Sequence, residues 1–204
     1  MALAVEPLAP SVEAFVEQYL GEVSGHLRNV AADAVVRAGR RLLRAYEQGA
    51  QVLVAGNGGS ASTASHLACD LGKTVLGATP TERSSRFRVV SLADNVALLT
   101  AWANDVGYET VFAEQVKMLG RAGDVLVVVS ASGRSPNVVA AVEAARERSL
   151  ETIGLLGFDG GVVRELVDEP IVVPCFDFGH VESVHLVLGH LLTDWFARHL
   201  DALG

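Results

Sequence analysis

The sequence contains little lysine, little cysteine and no long apolar run. Its 204 residues include 16 Lys and Arg against 24 Asp and Glu, a formal net charge of −8. This acidic balance argues against a broad surface for nucleic acid or anionic membrane. The two cysteines, Cys69 and Cys175, form no C-x-x-C motif, so a disulfide framework is excluded. We therefore expect reduced thiols and a cytoplasmic location.

The start of the chain and its apolar stretches exclude two further classes. Residues 1–10 lack the basic and apolar regions of a signal peptide. The apolar stretches are short and interrupted by Gly, Asp or Arg, so no membrane span is predicted. Half of the residues are hydrophobic, enough for one sizeable core. We predict a single domain over 1–204, with a helical segment at 1–48 as an oligomer interface and an α/β core at 49–204.

Strand and helix patterns alternate along the core. Five short apolar runs are predicted as strands: 51–55, 87–92, 124–129, 152–156 and 171–173. Helical patterns cover 11–48 with a break near Gly25, then 60–71, 95–103, 109–119, 136–148 and 180–200. The alternation predicts an α/β fold, a doubly wound, flavodoxin-like parallel five-stranded sheet with flanking helices. Ligands of such sheets gather beyond the carboxyl ends of the strands.

The first predicted strand ends in a glycine-rich turn, Gly56-Asn57-Gly58-Gly59-Ser60-Ala61, called the glycine loop below. It matches the dinucleotide fingerprint G-x-G-x-x-A superficially. No acidic residue ends a strand about twenty positions later, where a ribose hydroxyl needs one, so no nucleotide cofactor is expected. A plain tight turn is the simplest alternative. The adjacent Gly58 and Gly59, with Asn57 and Ser60, favour close approach of the backbone to a ligand.

The third predicted strand ends in Ser130-Ala131-Ser132-Gly133-Arg134-Ser135, called the serine loop below. Pro136 follows at the first turn of a predicted helix, where its missing N–H costs nothing. Three hydroxyls at a helix N-terminus, with Gly133 allowing the backbone to curl, form an anion site. A serine-rich cap without a ligand is the alternative. The position at a strand's carboxyl end favours phosphate.

The glycine loop followed about seventy residues later by the serine loop resembles the SIS domain. Three further segments resemble the phosphoheptose isomerases of that family: Ala103–Tyr108, Val111–Val116 and Phe158–Gly161. The similarity runs from about residue 30 to residue 198. It implies a sugar phosphate held by the serine loop and a homotetramer with sites shared between subunits.

Two predicted helices carry a possible metal site. His66 and Asp70 are four apart on one helix, and Glu182 and His190 are eight apart on the last helix, so each pair shares a face. If both helices border one crevice, the four side chains suit zinc or a similar divalent ion. The alternative is histidines that serve packing and a Glu182 that favours its helix N-terminus. Phosphoheptose isomerases carry zinc-binding groups at these spacings, and the resemblance implies the same here.

The chain departs from the family pattern at several positions. Asp70 stands where the family has Glu, Glu182 where it has Gln, and Ala131 where it has Thr. The segment Cys175–His180 also differs from the polar family segment. These departures leave the fold prediction unchanged and bear on the substrate and on the acid–base roles.

The resemblance predicts a ketose–aldose isomerase acting through an enediol on sedoheptulose 7-phosphate. Such a reaction needs a base, a hydroxyl proton shuttle and stabilisation of oxyanion charge. We expect Asp70 or Glu182 as the base and His190 as its partner. Further predicted substrate contacts are Asn57, Gly58, Gly59, Ser60, Asn104, Asp105, Ser130, Ala131, Ser132, Ser135 and Glu182. The alternatives are a non-catalytic phosphosugar-binding regulator or scaffold, and an isomerase of another phosphosugar.

Overall fold

A computed structural model describes residues 11–76 and 86–203 of the chain, with side chains as far as residue 200. The segment for which no signal peptide is predicted, 1–10, lies outside the described residues. The helices there are α1 Val12–Arg28, α2 Ala32–Gln48, α3 Gly59–Gly72, α4 Val96–Asp105, α5 Ala113–Leu119, α6 Pro136–Glu147, α7 Val163–Leu166 and α8 Phe178–Leu203. The strands are β1 Gln51–Gly56, β2 Arg88–Ser91, β3 Val125–Ser130, β4 Glu151–Gly157 and β5 Glu169–Val173.

The five strands form one parallel sheet in the order β2-β1-β3-β4-β5. This confirms the predicted doubly wound, flavodoxin-like α/β class. The chain runs outward from β1 to β2, then returns to place β3 on the other side of β1. The order therefore reverses between β1 and β3, and ligands of such folds bind in the crevice at that reversal. The glycine and serine loops leave these two strands.

Both faces of the sheet are covered, as parallel sheets require. All six residues of β3 are buried, and five of six in β1. One core cluster joins the sheet to α2, α3 and α8, and a second joins its other face to α5 and α6. Each fully buried Leu, Ile or Val contributes about 1.5–3 kcal/mol relative to exposure. The core holds the strand ends, and hence the loops that follow them, in fixed positions.

Several helix boundaries differ from the prediction, and the short helix α7 was not predicted. Gly25 lies inside α1, and the break falls at residues 29–31, because the Asn29 N–H bonds back to carbonyls of the last turn while Ala31 is extended. Asn104 and Asp105, predicted in a loop, form the end of α4. The predicted helix at 109–119 begins only at Ala113, after a short 3-10 turn over Tyr108–Thr110.

Helix α1 lies on the outside of the described structure. Over Val12–Arg28, no side chain is buried, and the helix contacts α8. Its apolar residues Val12, Phe15 and Leu20 are each more than half exposed. The prediction that this segment forms an oligomer interface stays a prediction.

No helix among the described residues combines the length and the apolar character needed to cross a membrane.

Candidate functional site

The glycine and serine loops lie side by side where the strand order reverses. Gly56 at the end of β1 is in register with Val129 of β3. Beyond them, Asn57 donates to Asn137 Oδ1 (2.8 Å), and Asn137 donates back to Asn57 Oδ1 (2.9 Å). The Tyr108 hydroxyl also donates to Asn57 Oδ1, at 3.0 Å. The Asn57 side chain, predicted to contact substrate, therefore also joins the glycine loop to the start of the helix that follows the serine loop.

The residue Asn137 was not singled out from the sequence. It is 2% exposed, one residue into α6, and its buried amide requires partners. An Asn directly after Pro136, which begins α6, does not by itself indicate a functional residue. Only the reversal between β1 and β3 brings it opposite Asn57.

The serine loop curls over its own backbone. Ser130 Oγ accepts the N–H of Gly133 (3.1 Å), and Ser132 Oγ accepts the N–H of Arg134 (3.3 Å). A hydroxyl that accepts one bond keeps its proton for donation to a further acceptor, such as a phosphate oxygen. Ser135 is the N-cap residue of α6 and is half-buried. The loop thus presents hydroxyls at a helix N-terminus, the arrangement that favours an anion.

A second loop braces the serine loop. Gly133 has φ +61°, and a Cβ there would overlap the backbone carbonyl of Gly160. Val163 N–H donates to Gly133 O (3.1 Å). Arg134 holds both carboxylate oxygens of Asp159, at 2.9 and 2.6 Å, and this pairing lowers the pKa of Asp159 to about 2. The Phe158–Gly161 segment, noted from the sequence only for its resemblance, therefore fixes the loop's shape.

Glu182 lies at the other side of the glycine loop. A Cβ on Gly59, the first residue of α3, would overlap the Glu182 carboxylate. The partial positive charge of a helix N-terminus favours a carboxylate at this position. The missing side chain of Gly59 is what makes room for it. Gly58 (φ +56°) and the buried Ser60 complete this turn.

The side chains of His66, Asp70 and His190 meet, and we call this group the open cluster. The two Nε2 atoms are 3.1 Å apart, and Asp70 Oδ2 lies 3.5 Å from His66 and 3.9 Å from His190. Thr74 donates to the other Asp70 oxygen (2.9 Å). The imidazoles are 46% and 51% exposed, so the cluster faces solvent while Asp70 is nearly buried.

The open cluster fits a divalent metal ion. Its three ligand atoms lie within 4.8 Å of one another, close enough to share one ion. Two imidazole nitrogens and one carboxylate oxygen are donors that zinc accepts, and three protein ligands with one open position are typical of catalytic sites. Glu182, the fourth predicted ligand, does not belong to the cluster that the described side chains form.

Two predicted substrate contacts and one further histidine have other surroundings. Asn104 and Asp105 are exposed at the end of α4, and the Asn104 amide donates to the Asp105 carboxylate (2.8 Å). His185, on α8 between Glu182 and His190, is fully buried, and neither ring nitrogen has a hydrogen-bond partner among the described residues. Burial lowers the pKa of His185 to about 4, so the ring is neutral at pH 7.

Comparison with known proteins agrees with this architecture. A family model described as the SIS domain matches residues 18–157. A phosphoheptose isomerase from Pelobacter propionicus is 41% identical over 162 residues, covering 79% of this chain and 83% of that protein. One from Helicobacter pylori (strain P12) is 40% identical over 158 residues, covering 78% and 80%.

Solved structures give the same result for the fold. The phosphoheptose isomerase from Neisseria gonorrhoeae superposes with a TM-score of 0.81 at 32% identity, covering 91% of this chain and 98% of that one. The enzyme from Francisella tularensis gives 0.82 at 29% identity, covering 92% and 96%. With a matching family model and relatives near 40% identity over most of their length, the chain belongs to the SIS domain family and, within it, to the phosphoheptose isomerases.

Proposed function

We propose that the protein isomerises sedoheptulose 7-phosphate to D-glycero-D-manno-heptose 7-phosphate. The observation that carries this proposal is that, beyond the carboxyl ends of β1 and β3, a loop of hydroxyls at a helix N-terminus lies beside the glycine loop, against which Glu182 of α8 places its carboxylate. The curated relatives are named phosphoheptose isomerases, which supports the same reaction. A phosphate held at the serine loop fixes one end of the sugar, and the reacting carbons lie at the other.

The serine loop is proposed to bind the phosphate. The hydroxyls of Ser130, Ser132 and Ser135 stand at the N-terminus of α6, which favours negative charge. Ala131 is 5% exposed and offers only its backbone. Arg134 is paired with Asp159, so its charge is largely neutralised. The loop therefore binds anions through hydroxyls and N–H groups more than through a free cation.

Glu182 is proposed as the base. It takes a proton from C1 of the ketose while the C2 carbonyl oxygen gains a proton, which gives the enediol. The proton is then delivered to C2, and the O1 hydroxyl loses its proton to become the aldehyde oxygen. Glu182 is free for this role because it lies outside the open cluster, against Gly59. Asp70, held by Thr74 and beside two imidazoles, is better suited to be a ligand.

His190 is proposed to move the hydroxyl protons. Its imidazole is half exposed and lies on the same face of α8 as Glu182, two turns further along. As an alternative to this role, His190 would hold a divalent ion such as zinc together with His66 and Asp70, because an imidazole whose Nε2 binds a metal cannot transfer protons through that nitrogen. When bound, that ion supplies Lewis-acid polarisation of the substrate carbonyl.

The protein is proposed to be a homotetramer with sites shared between subunits. Exposed apolar side chains lie on α1 and on the outer faces of α2 and α8. Val36, Leu191 and Trp195 are the exposed apolar members of a groove between α2 and α8. Light scattering of the purified protein tests this, and a monomer at micromolar concentration would contradict it.

Turnover of sedoheptulose 7-phosphate by metal-free and zinc-reconstituted protein tests the function. Zinc-dependent formation of aldoheptose phosphate is the expected result. Turnover by the metal-free protein would support the isomerase function and contradict a requirement for the metal. Absence of product in both states would contradict the heptose reaction.

A second substrate class is favoured by one observation. Phe176 and Phe178, in the segment that departs from the family pattern, are 75% and 59% exposed and pack on Phe158 beyond β4 and β5. This aromatic group suits a less polar sugar. A panel of ketose phosphates of five to seven carbons and their deoxy analogues, compared by kcat/KM, distinguishes a preference for a less polar sugar from the heptose reaction.

The phosphate loop has a matched test of its own. Gly133→Ala adds a Cβ that meets the Gly160 carbonyl, whereas Gly49→Ala has nearly the same φ (+64° against +61°) and meets nothing within 4 Å. Both pay about 1 kcal/mol of backbone strain. We expect only Gly133→Ala to raise KM, by about tenfold or more. Equal KM values for the two variants would contradict the proposal that the serine loop binds the phosphate.

A further inference from the structure

A second group of metal-type ligands lies outside the proposed active site. It joins His26 in the last turn of α1, Cys175 in the segment after β5, and His180 in the first turn of α8. One ligand atom of each lies within 4.8 Å of the others. Cys175 Sγ is 4.0 Å from His180 Nδ1. We call this group the closed cluster, because Cys175 and His180 are only 6% and 5% exposed.

The surroundings of the closed cluster resemble a second coordination shell. Glu22 Oε2 lies 3.7 Å from His180 Nε2, the ring nitrogen that faces away from Cys175. A carboxylate behind a histidine is the usual partner of a metal-bound imidazole, because it fixes the tautomer and the ring orientation. The Asp177 N–H points to Cys175 Sγ at 3.4 Å, and such a donor stabilises a thiolate. Asp177 Oδ1 accepts the backbone N–H of His180 (2.9 Å), which fixes the start of α8.

We propose that the closed cluster binds Zn²⁺ through His26, Cys175 and His180. One thiolate and two imidazoles are a donor set that zinc favours over the hard cations, which prefer oxygen. The fourth position is filled by water. This site is separate from the open cluster: His180 and His190 are ten residues apart on α8, about 15 Å by helix rise.

The role of such a site follows from what it connects. None of the α1 side chains in Val12–Arg28 is fully buried, and the apolar contact of this helix with the described core comes from the partly buried Val23 and Leu27. A metal bound by His26, Cys175 and His180 would fasten α1 to the segment after β5 and to the start of α8. That segment leads directly to Glu182. The ion is therefore structural, and it fixes the helix that carries the proposed base.

Aromatic packing is the competing explanation for the same residues. The His180 ring meets Tyr19 edge-on at 4.4 Å between centroids and lies 5.4 Å from His26. Packing alone needs neither the Cys175 sulfur nor a carboxylate at the far ring nitrogen. The test must therefore detect a metal–sulfur bond rather than stability alone.

Cobalt substitution provides that test, because a thiolate–Co²⁺ bond gives a near-ultraviolet charge-transfer band and nitrogen or oxygen ligands do not. The Cys69→Ser substitution removes the exposed cysteine, so that Cys175 is the only thiol of the chain. The substituted protein is prepared without metal. We expect one equivalent of Co²⁺ to give the band in this protein. The band should remain in a Cys69→Ser/His66→Ala/His190→Ala protein, whose open cluster has been removed.

The variants that should lose the band are Cys175→Ser and His26→Asn, each in the Cys69→Ser background. His26 is half-buried, so His26→Asn keeps the test decisive if Cys175→Ser does not fold. Zinc content should fall by one equivalent in both. Absence of the band in the Cys69→Ser protein, or its persistence at full intensity in His26→Asn, would overturn the proposal. Neither result depends on isomerase activity.

Discussion

The open and closed clusters place two imidazoles and one anionic ligand at different depths around the same helix. In the open cluster the histidines are about half exposed and the anionic ligand is a carboxylate. In the closed cluster a thiol replaces the carboxylate, and the sulfur and one imidazole are buried. Exposure leaves room for a substrate, whereas burial leaves none. Similar ligand types can thus serve chemistry at one position on α8 and attachment of α1 at another.

The largest effect is expected from His190→Ala in the open cluster. Loss of a proton-transfer group lowers kcat by about 10²–10⁴-fold. The side chain is half exposed, so thermal stability should change little. Arg198→Ala, an exposed position on the same helix, is the control and should keep full turnover. Wild-type turnover by His190→Ala would remove this histidine from the mechanism.

Gly59→Ala should have the next largest effect, because the added Cβ displaces the Glu182 carboxylate. Misplacement of a reacting group by about 1 Å costs on the order of 10²-fold in kcat. Ser62→Ala, an exposed position on the same helix, provides the control. Normal kinetics in Gly59→Ala would mean that Glu182 is not the base in this position.

On α8, His185 lies between His180 of the closed cluster and His190 of the open cluster. We expect its protonation to affect the stability of the fold and not the ligands of either cluster. The pKa of His185 is about 4, below the ordinary value of 6.5, because of burial. Between these two pH values the ring is neutral in the folded protein, whereas in the unfolded chain it takes up a proton. Stability from this group is therefore complete above about pH 6.5 and is lost as the pH falls towards 4.

Urea unfolding at pH 7.5 and pH 5 measures this difference. The wild type should lose about 2 kcal/mol more than His185→Leu over that interval. An identical pH dependence in the two proteins would contradict a neutral buried His185.

The smallest effect is expected from chelation at the closed cluster. Loss of the ion should lower Tm by a few degrees, equivalent to about 1–2 kcal/mol at this chain length. Amide exchange should accelerate in α1 but not in α2, which has buried residues of its own. His26→Asn should show the lowered Tm without a further response to chelator. A response of the same size in His26→Asn would assign the effect to the open cluster.

The sequence was sufficient for elements with strong periodicity and for residues whose chemistry is local. The five strands were predicted because each is a short apolar run, three of them before glycine or serine, and their alternation with helices predicted a doubly wound parallel sheet. His66 and Asp70 could be paired because helical spacing places them on one face. Gly56–Ser60 and Ser130–Ser135 were found because glycine and serine clusters at strand ends are visible in the sequence.

Features that depend on distant segments could not be predicted. The position of Glu182 against Gly59 depends on how α8 crosses α3, which the sequence does not show. The spacing of Glu182 and His190 on one helix face therefore placed Glu182 among the predicted metal ligands. Asn137 becomes important only opposite Asn57, eighty residues earlier. The closed cluster combines residues from three segments, and His26 looked like any polar residue of an exposed helix.

The reciprocal amide pair between the two loops has a consequence for the ageing of the protein. Asn57 precedes Gly58, and an Asn followed by Gly is chemically prone to deamidation, which converts the amide to a carboxylate. A carboxylate at position 57 cannot donate, so Asn137 Oδ1 would lose its donor while its own amide still donated to position 57. A negative charge would also enter the crevice proposed for the sugar phosphate. The bonds from Asn137 and Tyr108 hold the Asn57 amide in place and should slow this reaction, so the contact that joins the loops also sets how long a stored molecule remains able to bind an anion.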